Sequence, residues 1–239
     1  MKNWLTFVAA QLLVGFGLQP VGAQQPQTPS FNANTDGERI ENLTAVKKDL
    51  RDYHDCTCKC GCYAHDLDMQ ADRAIAFLRG RNEHRREGEK LALILDIDET
   101  ALSNYIELSD ADFEYIPDAF NAWIDSAQAP VIPGTLRLYK EAQRLGVSIF
   151  FITSRPEKQR QVTEHNLHTQ GYDNWQKLVL RPDRHGSETV GEFKALERGK
   201  IAAEGYTLVL NVGDQWSDLK GAPEAEFSVK YPDPFYIIL

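Results

Sequence analysis

Basic residues are scarce in this sequence relative to acidic ones. Its 239 residues include 26 Lys and Arg against 35 Asp and Glu, a formal charge of −9. Residues 1–23 carry one Lys and no acid, so the chain beyond them has 25 basic and 35 acidic residues and a net charge of −10. That balance argues against a nucleic-acid polymer as partner and against an anionic membrane surface. A small anionic ligand stays open, because a local cation can invert the field within a site. Long apolar runs are missing too. The stretch from Trp4 to Leu18 is interrupted by Gln11, Gly15 and Gly17, and falls short of the roughly 20 residues that a spanning helix needs. No internal repeat appears, which excludes a solenoid or a propeller.

That short apolar stretch begins behind Lys2 and ends at Val21-Gly22-Ala23. We read residues 1–23 as a signal peptide, with an anchor that stays attached as the alternative. A periplasmic or secreted location follows, with no stable membrane insertion after signal removal. No Cys stands near Ala23 to carry a lipid. Residues 24–40, rich in Gln, Pro, Thr, Ser and Asn, read as a disordered linker. Cysteine occurs only at Cys56, Cys58, Cys60 and Cys62. In an oxidising compartment disulfides are the default, and Cys56–Cys60 or Cys58–Cys62 are easier pairs than a strained Cys-x-Cys bridge. Alternatively, the four thiolates with His54 and His65 could bind Zn²⁺ or Cu(I).

What is present in quantity is a set of short, continuous apolar runs. Leu91–Leu95, Val147–Ile152, Leu178–Leu180 and Thr207–Val212 read as strands buried on both faces. Helical patterns separate them. One opens at Pro133 and closes at Gly146, one has Pro156 at its first position and ends near Gly171, and one spans Phe193 to Glu204. Two more precede the first strand. The class is therefore α/β, a Rossmann-like parallel sheet with an N-terminal helical extension, forming one domain over 41–239. Nothing in the sequence fixes an oligomeric state.

The polar residues cluster just after those runs, at the carboxyl edge where parallel sheets place ligands. Asp96-Ile97-Asp98 follows the first run, Thr153-Ser154 the second and Gly213-Asp214-Gln215-Trp216-Ser217-Asp218 the fourth. Converging carboxylates repel one another, and a hard cation such as Mg²⁺ resolves the conflict. With the cation in place one Asp can attack a phosphoryl group, and a second Asp two residues on can move the proton. Thr153 and Ser154 would offer donors to the phosphate, and a Lys is required near the nucleophile, for which Lys194 is the candidate. Arg184-His185-Gly186 spells the tripeptide of histidine phosphatases, but it stands in a loop after the third strand, away from any nucleophile position.

Taken together, DIDET, ITSR, a Lys-bearing helix and GDQWSD resemble the haloacid dehalogenase superfamily. Within it, LDIDETALSN, WIDSAQAPVIPGT, FFITSRPEKQR, GYTLVLNVGDQWSDLKG and PDPFYIIL look like the acid phosphatase subfamily of bacterial secreted and plant vegetative-storage-type enzymes. The resemblance covers roughly residues 40–239 and implies a phosphomonoester hydrolase acting on a small substrate, with Mg²⁺ as cofactor. It makes Asp96 the nucleophile, Asp98 the general acid and base, Thr153 the phosphate-binding hydroxyl and Lys194 the stabilising lysine, ahead of Lys200. The metal would be held by Asp96, the Asp98 backbone carbonyl and Asp214, with Asp218 in support. The Cys cluster departs from the family pattern. A non-catalytic storage or metal-binding protein on the same fold is the rival reading, weakened by the intact Asp96. Residues 101–132 fall where this fold carries its cap. Tyr105, Phe113, Tyr115, Phe120 and Trp123 are dense there, and Tyr105 and Trp123 are expected to line the site mouth and to favour aromatic or nucleotide monoesters.

Overall fold

Leu91, Leu93 and Leu95 point to one face of a central strand, and Ala92 and Ile94 to the other. All five are buried, as a strand covered on both sides requires. This strand, β1 (Lys90–Leu95), lies in the middle of a five-stranded sheet with β2 (Ser148–Pro156), β3 (Lys177–Arg181), β4 (Tyr206–Gly213) and β5 (Phe227–Lys230). The order is β3-β2-β1-β4-β5, and each pairing is parallel. The chain runs outward from β1 through β2 to β3, then returns to the other side of β1 to form β4. The switch point therefore falls between β1 and β4, where a parallel sheet opens a crevice at its carboxyl edge.

The computed structural model describes residues 40–56, 62–184 and 186–238. The segments read as signal peptide and linker lie outside them apart from Ile40, as do Cys58, Cys60 and His185. Residues from Asn42 onward form one compact unit. Among the described residues, no helix is long and apolar enough to cross a membrane.

Helices cover both faces of the sheet. Leu67, Ala71, Ala74 and Leu78 of α2 (Tyr63–Glu83) and Leu138, Tyr139 and Ala142 of α5 (Pro133–Arg144) bury against the Leu91, Leu93 and Leu95 side. Leu167 of α6 (Arg160–Thr169) joins the same core. On the other face Phe193 and Ile201 of α7 (Val190–Ala203) pack on Ala92, Ile94, Phe150 and Leu208. Burying side chains of this size contributes about 1.5–3 kcal/mol each. Helix α1 (Leu43–Asp55) precedes α2. Two short helices, α3 (Tyr105–Asp110) and α4 (Pro117–Ser126), fill the connection from β1 to α5, and α8 (Trp216–Leu219) follows β4.

Three local readings are corrected. Pro156 does not open a helix: its ψ of 150° keeps it extended as the last residue of β2, paired with Arg181, and a 3-10 turn over Glu157–Gln159 intervenes before α6. Helix α7 starts ahead of Phe193, because Thr189 and Glu192 form a reciprocal capping box that fixes its first turn. The cysteine pairing is Cys56 with Cys62. Cys56 caps the end of α1 and Cys62 the start of α2, and their Cα atoms lie 5.7 Å apart. The junction of the two helices selects the pair, and spacing along one segment does not. The strand β5, of 4 residues, and helices α3 and α4, of 6 and 10, are too short for their patterns to show a period.

Candidate active site

Three strand ends deliver the charged side chains. At the end of β1 Asp96 is buried, its N–H bonded to the Val212 carbonyl of β4 at 3.1 Å. At the end of β4 come Asp214, Gln215 and Asp218, all buried. Carboxylate oxygens of Asp96, Asp214 and Asp218 lie within 4.8 Å of one another. Gly213 makes this closeness feasible, since a Cβ there would overlap the Asp218 side chain.

Helix α7 approaches from the side with two cations one turn apart, Lys194 and Arg198, both buried. Lys194 Nζ donates to Asp96 Oδ1 and to Asp218 Oδ1. Arg198 donates to four backbone carbonyls, those of Asp218 (2.6 Å), Lys220 (2.6 Å), Gly221 (2.6 Å) and Pro223 (3.0 Å). It thereby fixes the loop that carries Asp218. Lys200 stands apart, paired with Glu197 at 2.6 Å and half exposed.

Asp98 has its own cation. Arg155, at the end of β2, places Nε 3.1 Å from both Asp98 carboxylate oxygens and Nη2 2.7 Å from Oδ1. Asn104 Nδ2 donates to the same Oδ1 at 2.8 Å. The Thr153 hydroxyl accepts from the Arg155 N–H at 3.1 Å and reaches Asp98 Oδ2 at 3.5 Å.

Electrostatics divides these carboxyls into two kinds. Burial pushes Asp96 up to about 7 despite Lys194, with Asp218 and Asp98 adding like charge. Asp214 is driven well above the ordinary range by burial and by Asp218, Asp96, Asp233 and Glu99. Burial would raise Asp98 as well, but Arg155 and Asn104 outweigh it and hold its carboxyl below the usual value. Lys194 is opposed by burial, but its two carboxylate partners outweigh that and keep it charged. A site with three converging carboxylates and one lysine between two of them carries excess negative charge, held by hard oxygen donors. That donor set fits a divalent cation.

A cleft of about 460 Å³ opens above this cluster. Asp96, Asp98, Ser154, Lys194, Asp214 and Asp218 all line it. Thr153 is fully buried behind it. Tyr105 and Trp123 are not among its lining residues. Tyr105 is buried, stacked on His54 and packed against Phe235, and Trp123 turns its Nε1 to Asn104 Oδ1 at 2.9 Å. The rings that line the cleft are Phe113, Tyr115, Phe120, Phe235 and Tyr236, with Phe113 stacked on Phe235.

Several residues here had no role assigned from sequence. Arg155, Glu99 and Asn104 stand within motifs already singled out, but their hydrogen bonds are made only in the folded chain. Gln215 Nε2 bridges Asp214 and Asp233, each at 2.7 Å, and the Ile238 N–H donates to Gln215 Oε1 at 3.1 Å. The closing segment was legible only as a family-like ending.

Carboxylates gathered beyond the carboxyl ends of parallel strands put this site where α/β enzymes with such sheets bind their ligands. The model of the HAD superfamily, subfamily IIIB (acid phosphatase), matches residues 21–239, and the chain belongs to that family. It is an acid phosphatase, a phosphoric monoester hydrolase. Acid phosphatase 1 of Solanum lycopersicum is 41% identical over 181 residues, covering 74% of this chain and 70% of that protein. Vegetative storage protein 1 of Arabidopsis thaliana is 34% identical over 236 residues, covering 96% of this chain and 84% of that protein. The class C acid phosphatase from Bacillus anthracis shares the fold, with a TM-score of 0.67 at 21% identity over 82% of this chain and 86% of that one.

Proposed function

We propose that this phosphatase works through an aspartyl-phosphate on Asp96, with Asp98 as the proton shuttle and Mg²⁺ as the cofactor. The observation that carries the reading is the cluster of Asp96, Asp214 and Asp218, with Lys194 as the one cation paired with it among the described residues. Asp96, Asp214 and the Asp98 backbone carbonyl would hold the ion, supported by Asp218. When bound, it supplies charge neutralisation for the carboxylates and the incoming phosphate.

In the first displacement an Asp96 oxygen bonds to phosphorus, the ester P–O bond breaks, and Asp98 gives its proton to the leaving oxygen. In the second, water attacks phosphorus, Asp98 takes a water proton, and the Asp96–phosphorus bond breaks to release phosphate. Lys194 offsets charge on Asp96, and Ser154, which lines the cleft, donates to the phosphoryl oxygens. The Thr153 hydroxyl, buried behind the cleft and turned to Asp98, would have to swing toward the phosphate to take the binding role the resemblance implies. Because Arg155 holds the Asp98 carboxyl low, its protonated form belongs to acid pH, which accords with the subfamily's name. Phosphate charge arriving beside Asp98 raises it and helps make it an acid.

Residues 101–132 serve as a cap over the cleft, and residues 1–23 direct the chain to a periplasm or out of the cell. The rings of Phe113, Tyr115 and Phe120 take the place first given to Tyr105 and Trp123, and favour a small aromatic or nucleotide monoester. A storage role, which the Arabidopsis relative's name suggests, is disfavoured by the complete carboxylate and lysine set. The test is hydrolysis of p-nitrophenyl phosphate with Mg²⁺, with EDTA, and by Asp96→Asn. The reading expects turnover that needs metal and disappears in the variant, and it fails if turnover survives both.

A further inference from the structure

Glu99 is the one residue of its loop with a left-handed backbone, at φ 51°, and it is fully buried. A non-glycine residue is rarely left in that conformation unless its surroundings hold it there. Here both carboxylate oxygens are engaged. Oε1 accepts the Asn104 N–H, while Oε2 accepts Asn104 Nδ2 at 3.1 Å and the Tyr236 hydroxyl at 2.9 Å. Asn104 is used to capacity in turn. Its amide gives one bond to Glu99 and one to Asp98 Oδ1, and its Oδ1 accepts Trp123 Nε1. It therefore has no freedom to rotate without breaking a buried bond.

We infer that Glu99 and Tyr236 are positioning residues for Asp98, acting through the Asn104 amide. The inference rests on the reading of Asp98 as acid and base. Tyr236 comes from the segment after β5, so this relay ties the far end of the chain to the loop after β1. Its ring already lines the cleft, and the hydroxyl at its tip reaches behind the wall to Glu99. Neither Glu99 nor Tyr236 has to touch the substrate's phosphate for this role. With the relay intact, Asn104 and Arg155 hold Asp98 from two directions, Asn104 on Oδ1 and the Arg155 fork on both oxygens, and so fix the direction in which the carboxyl meets the cleft. With it broken, Asn104 is released and Asp98 loses one of its two restraints.

The consequence is selective. A misplaced acid matters most when the leaving oxygen needs its proton, as an alkoxide does, and least when the leaving group is a stabilised phenolate. We therefore expect Tyr236→Phe, which keeps the ring, to lower kcat/KM about tenfold on an alkyl phosphate and less than about threefold on p-nitrophenyl phosphate, the size expected for one buried hydrogen bond. Glu99→Gln should show the same ranking. The double variant should be little worse than the worse single one, because both act in one relay. Asp98→Asn is measured beside them and should show the ranking more strongly. Thermal midpoints of each variant identify any that fail to fold, and Tyr236→Phe is the arm that decides. A loss equal on both esters, or no loss, in Tyr236→Phe alongside a ranked loss in Asp98→Asn overturns the relay and leaves the Asp98 reading standing. An unranked loss in Asp98→Asn overturns both.

Discussion

Arg155, buried, and Asp98, partly exposed to the cleft, form a forked ion pair across two strand ends, with Nη2 2.7 Å from Oδ1 and Nε 3.1 Å from both oxygens. The pair matters because burial alone would drive the Asp98 carboxyl upward and the guanidinium reverses that. Lysine keeps the charge but loses the planar fork. In Arg155→Lys the Asp98 pKa should rise, so the alkaline limb of the kcat/KM profile moves to higher pH while the maximum rate falls about tenfold. A pH–rate profile on an alkyl phosphate, whose leaving oxygen needs the Asp98 proton, checks this. An unmoved limb would show that Asp98 is not the group titrating there.

Arg198 tests the packing beneath the site. Its guanidinium satisfies four carbonyls in the segment from Asp218 to Pro223. Removing a charged donor from buried acceptors costs about 3 kcal/mol or more. Arg198→Met should therefore lower the urea-derived stability by about that amount and reduce turnover through the loosened Asp218 loop. Stability within about 0.5 kcal/mol of the parent would mean water replaces the guanidinium freely.

Gly213→Ala probes the closeness of the carboxylates. The added methyl overlaps the Asp218 side chain, so Asp218 must leave its place beside Lys194. We expect turnover to drop at least about a hundredfold, with Mg²⁺ needed at higher concentration, because the donors no longer converge. Full activity would show that Asp218 is dispensable.

These features separate what the sequence discloses from what it hides. Leu91–Leu95 was legible as a buried strand because both faces are covered and the run is continuously apolar, and the polar residues beyond it followed from the topology. Asp96, Asp98, Ser154, Asp214 and Asp218 could thus be brought to one sheet edge, and the family's aromatic-Lys-x(3)-Arg pattern points to Lys194; all six line the cleft. The Glu99–Tyr236 bond joins residues far apart in the chain, and no local pattern encodes it. Which ring of the 101–132 segment faces the cleft was also hidden. That choice depends on how α3 and α4 turn, and Phe113 sits between them at φ 60°, a conformation that composition does not signal. The Cys56–Cys62 pair was missed for a similar reason, since the junction between α1 and α2 decides it.

Proton uptake gives a prediction with a definite sign. Burial raises Asp96 to about 7 and Asp233 to about 6. A carboxyl whose pKa is raised by folding supports the fold below its ordinary value near 4 and gives that support up as pH rises through the raised one. Metal-free protein should therefore lose stability between about pH 4 and pH 7, and Mg²⁺ should restore it. Metal binding to Asp96 and Asp214, both raised by burial, must expel protons, so Mg²⁺ added to weakly buffered protein near pH 6 should acidify the solution. Calorimetry in two buffers of different ionisation enthalpy measures the release. Binding without proton release would contradict a metal site built on these groups.

The most direct measurement concerns Asp96 itself. Enzyme mixed with a radiolabelled phosphomonoester and quenched in acid within one turnover can be digested and its labelled peptide sequenced. The account predicts an acid-stable, base-labile phosphoryl group on the peptide spanning Leu95–Thr100, located at Asp96 and absent from Asp96→Asn. Label on a different residue, or a quenched enzyme without label while product forms at full rate, would contradict it.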